Sequence, residues 1–156
     1  MQDYPQTIIY RHRRENLKKC SLRGLEGRVD MKFLTYPQDP LPPMEGAIVL
    51  ELGAPRLTRD DAFRPLCLFD ATWRYADVMM GQSEEALKGA VRRSIPTGIR
   101  TAYPRRQPDC ADPDQGLSSV EALFAAYYFL GRSTEGLLDH YYWKEKFLNI
   151  NNFSCD

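Results

Sequence analysis

The chain has 156 residues, 43% of them apolar and 27% charged; this is the make-up of one globular domain, or of two small lobes on a shared core, and it excludes collagen, a coiled-coil rod and wholesale disorder. Net charge is zero, with 21 basic and 21 acidic residues, which argues against a non-specific nucleic-acid coat and leaves a local RNA site open. No apolar run reaches ~18 residues, so no membrane span is predicted, and MQDYPQTIIYRHRR lacks the order of a signal peptide, which points to a cytoplasmic protein.

Residues 7–11, TIIYR, are β-branched and aromatic and predict a first strand. ENLKKCSLRGLEGR follows, polar with two glycines, and reads as a loop with a helical turn. VDMKFLTYP alternates Val29, Met31 and Phe33 with Asp30, Lys32 and Leu34, a second and more exposed strand. PQDPLPPM holds four prolines and predicts a surface connection. Residues 47–50 are apolar on both faces, which predicts a central, parallel third strand. Thr58 is placed to cap a short helix with acids in its first turn. Residues 66–69 predict a fourth buried strand that ends in Asp70, with a helix from about Trp73.

Ser83 is expected to cap a further helix over SEEALKGA, and AVRRSIP to form a fifth strand. TAYPRRQPDCADPDQG reads as a long loop. LSSVEALFAAYYFLG has Val120, Leu123, Phe124, Tyr127, Tyr128 and Leu130 at helical spacing, with Gly131 as a stop. STEGLLDHYYWKEKFLNINN predicts a final amphipathic helix. The expectation is an α/β fold: a mainly parallel five-stranded sheet domain over 1–95 and a helical lobe over 96–156.

Ligands of parallel α/β sheets bind beyond the carboxyl ends of the strands. Asp70, Ala71, Thr72 and Trp73 occupy such an end, where a carboxylate can orient a donor or take a proton and an indole can wall a pocket. By pattern alone Asp70 is equally a helix cap, Trp73 a core residue and Ser21 an ordinary loop serine. Ser118 and Glu121 form an S-x-x-E capping box, a structural role. Cys20, Cys67, Cys110 and Cys155 are scattered without a C-x-x-C pair, and His12 and His140 are far apart, so neither a metal site nor a disulfide framework is predicted. No Walker or dinucleotide glycine loop and no G-x-S-x-G elbow is present, which disfavours an NTPase or a hydrolase. Residues 88–106 carry six basic and no acidic residues, and residues 1–35 eight and four. Arg13, Arg14, Arg92 and Arg93 are the candidate RNA contacts, on two blocks expected to meet around one cleft.

Three segments in order carry a resemblance: YRHRRENLKKCSLRGLE; LCLFDATWRYADVMM; and RRSIPTGIRTAYP followed by GLSSVEALFAAYYFLG and KEKFLNIN. They resemble the S-adenosylmethionine-dependent RNA aminocarboxypropyltransferases, in particular the ribosomal-RNA branch, with kinship to the DTW-domain tRNA branch. The resemblance implies a SPOUT-like fold with a deep trefoil knot and a cofactor cleft between the carboxyl edge of the sheet and the C-terminal lobe. It implies that Ser21 lies near the amino-acid part of the cofactor, and that Ala71, Thr72, Trp73 and Ala76 wall the pocket. Pro96, Ile99, Tyr103, Leu117 and Ser118 would lie in the loops around the adenosine. RRQPDCADPDQG stands where the family carries Asn-Tyr-Gly.

The implied reaction moves the 3-amino-3-carboxypropyl group of S-adenosylmethionine to a uridine-type base nitrogen of ribosomal or transfer RNA, and 5′-methylthioadenosine leaves. Asp70 is the candidate base or orienter, and Trp73 would hold the methyl side away from the acceptor. No metal and no membrane is required. A SPOUT-like RNA methyltransferase and a non-catalytic RNA- or ribosome-binding module are the competing readings.

Overall fold

In the computed structural model, which describes residues 4–14, 21–71, 73–102 and 117–153 with the side chains of Trp73 and Arg74 excepted, all five predicted strands form. They are β1 (Thr7–His12), β2 (Met31–Tyr36), β3 (Ile48–Leu50), β4 (Leu66–Asp70) and β5 (Val91–Arg93). The sheet order is β2-β1-β4-β3-β5 and every pair is parallel. All six residues of β1 are buried, as a strand flanked on both sides and covered on both faces requires. Every strand therefore ends at the same edge.

The pleat sorts the side chains. Ile9, Ile48, Leu66 and Leu68 enter the main core, which the helix α2 (Ser119–Leu130) and the helix α3 (Lys144–Ile150) cover. Ile8, Val49 and Cys67 turn to the other face and pack with Met44, Ala47 and Leu87. That second cluster is flanked by Met80 of the helix α1 (Trp73–Gln82). Helix α2 has both of its expected ends. Ser118 caps it in a capping box with Glu121, and Gly131 closes it at φ +81°, a left-handed position suited to glycine. Val120, Leu123, Phe124, Ala126, Tyr127 and Leu130 are buried along it, and each large apolar side chain contributes about 1.5–3 kcal/mol by leaving water. Phe124, Phe147 and Phe153 pack ring against ring and hold α3 to α2. The cap predicted at Thr58 forms, over the 3-10 turn Arg59–Asp61.

Two expectations are corrected. The helix predicted from Ser83 does not form; residues 83–89 run as turns, and Gly89 at φ +79° leads into β5. A segment so short buries only Ser83 and Leu87 and does not repay helix nucleation. The long C-terminal helix shortens to α3. Residues 135–140 are turns interrupted by Gly136 at φ +80°, and this irregular path places Leu137 and Leu138, with the following Tyr141, in the main core. The predicted loop before residue 117 lies, from residue 103 on, outside the described residues.

Candidate functional site

Two charged residues lie at the carboxyl ends of buried strands, Arg11 as the last residue but one of β1 and Asp70 as the last of β4. Arg11 of β1 and Asp70 of β4 are register partners, and Arg11 Nε donates to Asp70 Oδ2 at 2.9 Å. Both are buried, Asp70 to 1% exposure. A lone charge at such depth would cost several kcal/mol, so each holds the other in place. Arg11 Nη1 also reaches Glu26 Oε2 at 3.3 Å, and the guanidinium lies over the Phe33 ring. Burial pushes the Glu26 carboxyl up, but the N–H groups of Glu26 and Gly24 and the charge and hydrogen bond of Arg11 outweigh it, and its pKa falls below the ordinary value.

The start of α2 meets this pair. Ser119 Oγ donates to Asp70 Oδ1 at 2.7 Å, so each Asp70 oxygen accepts a bond from a different element. Ser21 Oγ accepts from the Val120 N–H at 3.1 Å and Ser118 Oγ from the Glu121 N–H. Two of the four N–H groups that a helix start leaves without intrahelical partners are thereby satisfied. Glu121 itself is fully buried. Its Oε1 accepts from Thr101 Oγ1 at 2.6 Å and the Ser118 N–H at 2.9 Å. Its Oε2 accepts from the Ala102 N–H at 2.8 Å and Tyr141 Oη at 2.9 Å. One carboxylate thus fastens the segment after β5, the start of α2 and the turn before α3.

Of the residues expected around a cofactor, the structure brings Ser21, Asp70 and Ser118 to one place, the junction of the strand ends with α2. Ala71 follows Asp70 in a bend, and Ala76 is half-buried on α1. Pro96 and Ile99 are half-buried in the segment after β5, and Ile99 and Leu117 pack against the main core. Trp73 opens α1; its side chain, Thr72 and Tyr103 lie outside the described residues. Arg13 and Arg14 are exposed in the turn that follows β1. Arg92 and Arg93 are half-buried on β5, where successive residues face opposite ways. Arg93 Nε is engaged by Asp61 Oδ2 at 3.0 Å. Arg92 Nη1 is buried without a hydrogen-bond partner among the described residues.

For three residues of this junction the sequence pattern does not give the contacts they make. The S-x-x-E pattern predicts the capping box for Glu121, which forms, but not its bonds to Thr101, Ala102 and Tyr141. Arg11 is legible as a strand residue that opens the basic block Arg11–Lys32, and Ser119 as the end of the 117–119 segment that the resemblance sets around the adenosine; neither reading gives the contact with Asp70. A charged residue closing an apolar strand was the available signal for Arg11; its partner depends on strand order. Among the described residues no three His, Cys, Asp or Glu side chains converge as a metal site, and no helix is long and apolar enough to cross a membrane.

No protein-family model matches the chain, and no curated protein does. Among solved structures the chain is similar to the SAM-dependent rRNA:acp-transferase Tsr3 from Vulcanisaeta distributa, with a TM-score of 0.70 and 26% sequence identity. The match covers 96% of this chain and 80% of that one.

Proposed function

We propose that this protein is an S-adenosylmethionine-dependent RNA aminocarboxypropyltransferase acting on ribosomal RNA. The observation that carries the reading is the likeness to Tsr3 along 96% of the chain. The all-parallel order β2-β1-β4-β3-β5 supports placing the fold with the SPOUT-like proteins, and with that placement go the trefoil knot and the cleft between the 1–95 sheet and the 96–156 lobe; the D-A-T-W motif supports the DTW kinship. Transfer RNA is the alternative acceptor.

The strand-end junction suits such a donor. It has a polar pole, made by Ser21, Asp70 and Ser119. It also has half-buried apolar side chains at the same edge, Leu50, Ile95, Ile99 and Leu117. A molecule with a charged amino-acid end and a flat heterocyclic end needs both kinds of wall. When bound, S-adenosylmethionine supplies a carbon activated by a sulfonium leaving group. The protein's share is then position. Asp70 is held by Arg11 and Ser119, and with both oxygens accepting hydrogen bonds it acts as an orienting carboxylate. Glu121 holds the segment bearing Ile99 against the start of α2.

The test is single turnover with ribosomal RNA and S-adenosylmethionine. Release of 5′-methylthioadenosine with acylation-free N-alkylation of the RNA, read by nucleoside mass spectrometry, is the expected result. Release of S-adenosylhomocysteine would make the protein a methyltransferase, and RNA binding without turnover would make it a binding module. The same assay with transfer RNA separates the two acceptors.

A further inference from the structure

Beside the donor junction, on the other face of the sheet, β1 ends in a second kind of arrangement. His12, buried at 7% exposure, stacks on Tyr75 of α1 with ring centroids 4.2 Å apart and planes within 9°. Tyr36, the last residue of β2, tilts against the same histidine at 5.5 Å. The Arg14 N–H donates to His12 Nδ1 at 3.1 Å and fixes the imidazole plane. Burial first, and then the charges of Arg13 and Arg14, push the His12 pKa below its ordinary value. Tyr75 remains 37% exposed, and Val78, one turn further along α1, is 54% exposed. The acidic Asp77 lies about 200° around the helix from Tyr75.

An aromatic ring, partly exposed and stacked on one side by a histidine next in sequence to two exposed arginines, has the composition of a base-stacking site. Stacking tolerates any base because every base offers a π-face, and the arginines hold the backbone. Its place matters as much as its make-up. His12 is the neighbour of Arg11, which pairs with Asp70, and Tyr75 stands five positions after Asp70 on the helix that follows β4.

We propose that the partly exposed ring of Tyr75, backed by His12 beside Arg13 and Arg14, stacks an unpaired nucleotide of the substrate RNA flanking the modified base. This rests on the reading of the protein as an RNA aminocarboxypropyltransferase. The platform orients a single strand so that the next base faces the strand ends. It favours unpaired RNA over a duplex, whose bases are stacked on one another.

The experiment measures fluorescence anisotropy of a labelled 12-nucleotide single-stranded RNA of mixed sequence, and of the same sequence closed into a duplex. Wild type, Tyr75→Ala, Tyr75→Leu and Tyr75→Phe are compared, each with a thermal melt and a calorimetric titration of S-adenosylmethionine. Tyr75→Ala and Tyr75→Leu are expected to weaken single-strand binding by about 5- to 100-fold. Tyr75→Phe is expected to bind as wild type, and all three to keep wild-type affinity for S-adenosylmethionine. Tyr75→Leu keeps an apolar side chain against His12, so it reports on stacking where the alanine variant is poorly folded. Single-strand affinity within about two-fold of wild type in Tyr75→Leu would overturn the proposal, as would an equal loss for the duplex or no binding of the single strand by the wild type. Failure of the transferase reading is separate: it leaves single-strand binding dependent on Tyr75 while the wild type releases no methylthioadenosine.

Discussion

Arg11 and Asp70 stand opposite each other across the β1–β4 ladder, and the 2.9 Å bond from Arg11 Nε to Asp70 Oδ2 joins the ends of two buried parallel strands. The pair does two jobs. It makes a carboxylate tolerable at 1% exposure, and it leaves Asp70 Oδ1 to receive Ser119 from α2. The sheet edge and the helix start are thereby held in one geometry.

Asp70→Asn tests that arrangement. The amide keeps the shape but leaves the Arg11 charge without its closest partner, and breaking a buried pair costs about 3–5 kcal/mol. Glu26 still faces Arg11, which puts the expected loss near the lower end. Urea unfolding measures it. Methylthioadenosine release in single turnover is expected to fall by roughly 10²-fold, the cost of misplacing a reacting group by about 1 Å. Near-wild-type release would remove Asp70 from the reaction.

Glu121→Gln replaces one acceptor oxygen by an NH₂ that must face a backbone N–H, of Ser118 or of Ala102. Leaving a buried donor unsatisfied costs about 1–3 kcal/mol. Because the segment bearing Ile99 is fastened through this carboxylate, KM for S-adenosylmethionine is expected to rise more than kcat falls. A lower melting temperature with unchanged KM would confine Glu121 to a structural role.

The arginines divide by exposure. Arg13 and Arg14 are exposed, whereas Arg93 is committed to Asp61. Each phosphate contact on a single strand contributes about 0.7 to the slope of log affinity against log salt. Replacing Arg13 and Arg14 together by Ala is expected to flatten that slope by up to about 1.4. Arg93→Ala is expected to leave the slope alone and to lower stability, because Asp61 is buried and loses a partner. Equal slopes for the two variants would show that exposure does not decide which arginines meet RNA.

Acid stability has a local source at the opposite end of the sheet. Burial raises the Asp30 carboxyl, but the bidentate bond and charge of Arg28, the Asp30 N–H and the Tyr127 hydroxyl together bring its pKa below the ordinary 3.8. A folded-state value below the unfolded one means that stability is fully present above about pH 4 and is lost as pH falls through the folded value. Asp30→Asn is therefore expected to make the acid limb of unfolding shallower below about pH 4. Circular dichroism against pH measures it, and an unchanged limb would place the acid sensitivity elsewhere.

The strands and the helix α2 were legible in the sequence because their signals are local. β-branched runs mark the strands, S-x-x-E and a following glycine mark the two ends of α2, and Asp70 closes an apolar run in full view. Propensity alone predicts a helix at Ser83 that does not form and extra helix before Lys144; turns that drop Leu87, Leu137 and Leu138 into the core win instead. The site was legible only as candidates. Which side chain meets which depends on strand order and register, and no periodicity along the chain encodes either. Ser21 meets Val120 across 99 residues of sequence, Asp70 meets Ser119 across 49, and Arg11 meets Asp70 across 59. These contacts exist because the β1–β4 pairing and the seat of α2 on the sheet bring distant segments to one edge, where leaving a polar atom buried without a partner is costly.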